Sequence, residues 1–183
     1  MFCYSIFETT LGLCGVAGKD NRLLEVVLPG YEREEIRDYL RLQYKGAEKS
    51  PICFKDLERD IKGYFEGKRM GFDRTHLDLL NFTPFQRRVY MTTRSIPYGK
   101  VRTYGWIVDK LNLCNAQRAV GCALARNPIP IIIPCHRIIR KDGKPGGFSA
   151  PGGIRLKIEM LKLETGAKGP SFSLSSHRHP FCE

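Results

Sequence analysis

Pro134-Cys135-His136-Arg137 is the part of this sequence best equipped for chemistry. A cysteine beside a histidine says little alone. Here the thiol stands between a proline and a His-Arg pair, with Arg140 and Lys141 close behind. Positive charge and an imidazole both favour the thiolate, the nucleophilic form of cysteine. The approach runs through Pro128, Pro130 and Pro134, which bracket an apolar stretch. Proline interrupts a strand ladder, so this reads as a stiff, buried, extended segment that delivers Cys135 to a fixed place. Successive side chains on an extended segment face opposite ways, so Cys135 and His136 would need a bend or a bridging water to share a proton. A cysteine hydrolase is one reading of the pair, but no oxyanion motif accompanies it.

The elements in front of this motif are helical. Thr83-Pro84 is a helix start, and Phe85, Val89 and Thr92 follow at helical spacing before Pro97 closes the segment. TYGWIVDKLNL reads as a short amphipathic helix with Thr103 as its cap. Cys114-Asn115 is a turn, and Ala116 to Asn127 a second helix, so the two form a candidate helix-turn-helix. The second helix is thin: Ala116, Ala119, Gly121, Cys122, Ala123 and Ala125 leave little bulk, and Arg118 is the long side chain among them. Close helix packing explains this as well as entry into a minor groove about 6 Å wide.

The first half differs. CYSIFETTLGLCGVAG and Leu23 to Pro29 read as short strands joined by turn chemistry at Gly18-Lys19-Asp20-Asn21. Glu32 to Tyr44 reads as a helix with Ile36, Tyr39, Leu40 and Gln43 on one face, and Phe54 to Gly67 as another with Phe54, Leu57, Ile61 and Phe65. The expected organisation is a β-rich domain over 1–81, a mainly helical domain over 82–166 and a mobile tail over 167–183.

Charge separates the two halves. Residues 1–81 carry 13 basic and 14 acidic side chains, net −1, while 82–166 carry 15 and 4, net +11. A solubilising surface needs no such segregation, and a polyanionic partner does. The chain has 183 residues, 42% of them hydrophobic and 27% charged, which excludes a disordered or collagenous chain. No apolar run is long enough to span a bilayer, and the start does not read as a signal peptide. Seven cysteines without CxxC spacing point to a reducing compartment and unpaired thiols. Cys3, Cys14 and His76 are conceivable metal ligands, but small buried residues are the simpler reading, and no metal site is expected.

PCHR, preceded by Arg118-Ala119-Val120-Gly121 and Asn127-Pro128, resembles the O6-alkylguanine-DNA alkyltransferases. TPFQRRVY and IPYGKVRTY upstream, and GGFSAPGGIRLKIEMLKLE downstream, are similar to that family in the same order. The resemblance implies an α/β (α+β) protein: a ribonuclease-H-like N-terminal domain and a C-terminal domain with a winged-helix-like helix-turn-helix. It implies direct-reversal DNA repair, a stoichiometric and irreversible transfer of an alkyl group from guanine O6, and also thymine O4, to Cys135. His136 is then the base acting through a water, Glu164 orients the imidazole, and Asn127 ties the helix-turn-helix to the active-site turn. Tyr104 helps rotate the nucleotide and donates a proton to guanine. Arg118 is the finger that fills the vacated stack. Ala119, Gln117, Gly121 and Thr103 lie along the minor groove, with Arg140 and Lys141 beside the DNA. Pro130 and Phe148 wall the alkyl pocket, and Ser149 approaches O6. No cofactor is expected. The partner is double-stranded DNA bearing the lesion, met in the minor groove by a monomer in the cytoplasm, or in the nucleus of a eukaryote. A non-enzymatic lesion-binding relative would carry another residue at the acceptor position, so the thiol of Cys135 favours transfer. Gln117 and Cys122 are larger, and Phe148 replaces a tyrosine, relative to many members.

Overall fold

A computed structural model describes residues 1–50 and 52–166, and the tail over 167–183 lies outside the described residues. The fold is mixed α/β and divides into two compact units. The first comprises Met1–Phe82 together with Pro128–Ile132; the second begins at Thr83, runs to Asn127 and resumes at Ile133.

In the first unit β1 (Phe2–Thr9), β2 (Gly12–Lys19) and β3 (Arg22–Val27) form an antiparallel meander. The β2–β3 turn is made by Asp20 and Asn21, both at positive φ, the backbone that matches strand twist in a two-residue hairpin. Strand β4 (Glu48–Lys49) adds in parallel to β1, giving the order β3-β2-β1-β4. Helix α1 (Arg33–Gln43) starts with a capping box in which the Glu32 N–H donates to Glu35 at 2.7 Å. Its buried residues are Ile36 and Leu40. Tyr39 and Gln43, expected on the same face, are exposed; Tyr39 turns its hydroxyl to Glu25 at 2.5 Å instead. Helix α2 (Lys55–Phe65) buries Leu57, Ile61 and Phe65, with Phe54 buried just before it, as the spacing required.

One expectation about cysteine is corrected. Cys3 and Cys53 are joined as a disulfide, because the fold brings β1 and the turn before α2 to a Cα separation of 6.6 Å that no sequence spacing reveals. Cys14 is buried on β2, as the simpler reading had it, and burial pushes its thiol up to about 12. Among the described residues no three metal-ligating side chains cluster, and no helix is long and apolar enough to cross a membrane.

The second unit opens with α3 (Pro84–Arg94), capped by Thr83, whose hydroxyl accepts from the Gln86 N–H at 3.2 Å. It buries Val89, Tyr90 and Thr93 rather than Phe85 and Thr92, a shift of one position round the helix. Strand β5 (Arg102–Thr103) leads directly into α4 (Tyr104–Lys110), with Thr103 as the cap, accepting from the Trp106 N–H at 3.2 Å. After a turn through Asn112 and Asn115, both at positive φ, comes α5 (Gln117–Ala125). It ends two residues before the expected Asn127. Strand β6 (Ile138–Ile139) pairs in parallel with β5, and α6 (Gly153–Thr165) closes the unit.

Candidate active site

The segment before Cys135 is not extended. It turns at Ile131, a β-branched residue at φ 72°, a sterically costly conformation that the surrounding structure must impose. The prolines excluded a ladder strand, but the extended path expected in its place is overturned by this turn. Cys135–Arg137 then forms one turn of 3-10 helix, so Cys135 and His136 do not alternate as they would on a strand.

Asn127 is freed by the early end of α5. Its side-chain amide donates to the Ile133 carbonyl at 2.8 Å and to Cys135 Sγ at 3.2 Å. The end of α5 is itself held by Tyr90, whose buried hydroxyl donates toward the carbonyls of Ala123 and Arg126, each at 3.1 Å. His136 is wholly buried, with Nε2 2.7 Å from Glu164 Oε1. The same carboxylate takes Arg137 Nε at 2.9 Å, Arg137 Nη2 at 2.9 Å and the Gly99 N–H at 3.0 Å. Gly99 sits at φ 72°, and a Cβ there would lie 3.1 Å from the Glu164 carbonyl oxygen. Arg137 also donates to the Ile96 carbonyl at 2.6 Å.

The charges follow from these bonds. Burial alone would raise the Glu164 carboxyl, but His136 and Arg137 bring it down to about 2, so it is a carboxylate. Nε2 of His136 is therefore the protonated ring nitrogen. Burial lowers the imidazole, against the pull of Glu164, and leaves it a neutral base. Burial raises the Cys135 thiol, against the Asn127 bond and the charge of Lys157. The expected standing thiolate is thus corrected to a thiol. Arg137 is committed to Glu164, and Arg140 is exposed and paired with Asp142 at 3.0 Å, so neither outweighs desolvation.

Lys157 was missed by sequence reasoning. It lies on α6, 1% exposed, and donates to the Ile138 carbonyl at 2.5 Å and toward that of Gly147 at 3.4 Å. Burial lowers it to about 8, and the nearby Cys135 draws it back up. Arg137 was read only as positive charge beside the thiol, not as the partner of Glu164. The available signal was helical spacing: Lys157, Met160, Leu161 and Glu164 share a buried face, so two charged residues occupy core positions.

The chain is similar to known proteins. Residues 84–166 match the family model described as 6-O-methylguanine DNA methyltransferase, DNA binding domain. The methylated-DNA–protein-cysteine methyltransferase of Sulfolobus acidocaldarius is 47% identical over 90% of this chain and 94% of its own. That of Methanosarcina acetivorans is 36% identical over 88% and 97%. The chain belongs to the methylated-DNA–protein-cysteine methyltransferase family. Its activity is direct-reversal DNA repair by alkyl transfer to a cysteine. The structure of Mycobacterium tuberculosis OGT in complex with DNA is similar too, at TM-score 0.74 and 35% identity over 89% of this chain and 92% of that one.

The remaining expected residues of this methyltransferase fall in several places. Tyr104 is at the start of α4, with its ring 3.7 Å from where a Cβ on Gly121 would stand and its hydroxyl 3.1 Å from one on Gly146, which has φ 72°. Burial raises its phenol, and Cys135 raises it further, so the two are within electrostatic reach. Gln117, Arg118 and Ala119 are exposed in the first turn of α5. Lys141 and Ser149 are exposed, and Phe148 is half-buried. Pro130 is buried within the stretch that belongs to the first unit. The structure therefore brings together Cys135, His136, Glu164 and Asn127, and adds Arg137 and Lys157.

Proposed function

We propose that the acceptor is Cys135 and that the substrate is O6-alkylguanine in duplex DNA, repaired once per molecule. The observation that carries this reading is the chain of buried groups behind one thiol, with Asn127 on Sγ and the Arg137–Glu164–His136 array beside it. The lesion lies inside the duplex, so its nucleotide must be extruded at a cost of about a few kcal/mol. Arg118, exposed and long among small neighbours, enters the stack from the minor groove and fills the space. The helix-turn-helix of α4 and α5 carries it there.

Cys135 Sγ then attacks the alkyl carbon in line. The S–C bond forms, the C–O6 bond breaks, and its electron pair passes to the guanine. The thiol proton goes through a water to His136, whose imidazolium Glu164 stabilises, the logic of a catalytic triad. Tyr104 donates a proton to a guanine ring nitrogen and makes the base a better leaving group. Phe148 borders the alkyl group and Ser149 approaches O6. A thiol raised by burial suits this sequence, since it stays protonated until the substrate and base are in place. The thioether product is stable, so transfer is stoichiometric. The same displacement serves O4-alkylthymine. A monomer suffices, and the chemistry calls for no cofactor; a cytoplasmic or nuclear setting follows from the substrate.

Intact mass after mixing with an O6-methylguanine duplex tests the assignment. One added methylene on the Cys135 peptide is expected, and Cys135→Ala should bind DNA without gaining mass. A methyl group on another cysteine would overturn it.

A further inference from the structure

Trp106 is the one tryptophan of the chain, and it lies on the outer side of α4, away from the buried Ile107 and Val108. Two cations flank its ring. The Arg102 guanidinium, from β5, is 5.4 Å from the ring centroid, and Lys110 Nζ, one helical turn on, is 5.9 Å away. Cation–ring attraction at a half-buried site is worth about 0.5–2 kcal/mol, enough to fix a side chain but not to neutralise it. Among the described residues neither cation makes an ion pair; Arg102 donates only to the adjacent Val101 carbonyl, at 2.9 Å. From Ile96 to Asn127 the chain has five basic residues, Lys100, Arg102, Lys110, Arg118 and Arg126, against one acidic residue, Asp109. Two like charges are thus held together on one aromatic spacer without a counter-charge. That arrangement costs stability unless an anion completes it.

We propose that Arg102, Trp106 and Lys110 form a second DNA contact, a clamp on the phosphodiester backbone beside the groove that α5 enters. This rests on the DNA-repair reading above and names a part of the interface that reading leaves unassigned. The occupant is a phosphate strand rather than an unstacked base, because cations occupy the ring's surroundings. A phosphate bridging the two side chains supplies the missing negative charge and releases condensed counterions from the DNA. The clamp carries no sequence information and positions the duplex.

Trp106 makes the test internal. Iodide, an anion, should quench its emission efficiently in the free protein, since the two cations attract it. An unmodified duplex should lower that quenching several-fold in the unaltered protein. The double variant Arg102→Gln and Lys110→Gln should bind the same duplex with a slope of log K against log salt reduced by about 0.9, for the one bridging phosphate no longer neutralised. Quenching that DNA leaves unchanged, or an unaltered slope in a variant with the parental far-ultraviolet spectrum, would overturn the clamp. Failure of the unaltered protein to bind DNA at all would instead sink the DNA-repair reading.

Discussion

The Asn127 side chain donates at once to the Ile133 carbonyl and to Cys135 Sγ, at 2.8 and 3.2 Å. One amide thereby joins the end of α5 to the Cys135 sulfur. Asn127→Ala should leave the Ile133 carbonyl short of a partner at a cost of about 1–3 kcal/mol, and slow transfer. Asn127→Asp is the sharper test, because a carboxylate repels the developing thiolate. It should be slower than the alanine variant in single-turnover methyl transfer. Equal rates for the two would mean that the amide only braces the backbone.

Glu164 gives a pH signature. Its carboxyl falls from an ordinary 4.5 to about 2 in the fold, so its contribution to stability is full above 4.5 and is lost as pH falls toward 2. Glu164→Gln removes that contribution and strands the Arg137 guanidinium, costing about 3–5 kcal/mol by the measure of broken buried pairs. Denaturant midpoints should show the parent losing stability between pH 4.5 and 2, and the variant flatter over that window. A parallel decline in both would sever Glu164 from the effect.

Lys157 acts with the opposite sign. It falls from an ordinary 10.5 to about 8, so the unfolded chain holds a proton that the folded chain has released between those values. Its contribution to stability therefore rises with pH from 8 to 10.5. The charge sits beside Cys135 and favours the thiolate formed during attack. Lys157→Met should abolish the alkaline rise, slow transfer at neutral pH by about tenfold, and move the pH–rate profile upward. The stability and rate measurements are independent, and an unmoved profile would confine Lys157 to tying down the Ile138 and Gly147 carbonyls.

Part of this site was legible in the sequence because its chemistry is local: Cys135 and His136 are neighbours in PCHR. The strands and turns around Asp20-Asn21, and the cap at Thr83, were readable for the same reason. The places of Asn127 and Glu164 came only from the family resemblance. What escaped depends on distant packing. The turn at Ile131 defies the local preference of its own residue, and periodicity cannot see a backbone forced by tertiary context. Tyr39 followed helical spacing but left the core because a carboxylate on β3 offered its hydroxyl a partner. Cys3 and Cys53 are 50 residues apart in sequence, and only the fold brings them together.

Arg118 carries the prediction that divides three roles. It is exposed at the start of α5, beside Gln117 and Ala119, where a long planar cation can leave the protein surface. An extruded guanine leaves a hole in the stack, and an unfilled hole favours the nucleotide's return. A guanidinium can stack there and hydrogen-bond the orphaned base, which lysine does poorly. Arg118→Ala should therefore slow repair of O6-methylguanine in duplex DNA, by about tenfold or more given an extrusion cost of a few kcal/mol. Arg118→Lys should recover little of that rate. Free O6-benzylguanine needs no extrusion, so its reaction should change far less. A purely structural arginine would depress both reactions alike. A phosphate contact would leave the duplex rate intact once DNA is saturating. Single-turnover rates on the two substrates at saturating DNA separate these roles, and an equal loss on both would end the finger assignment.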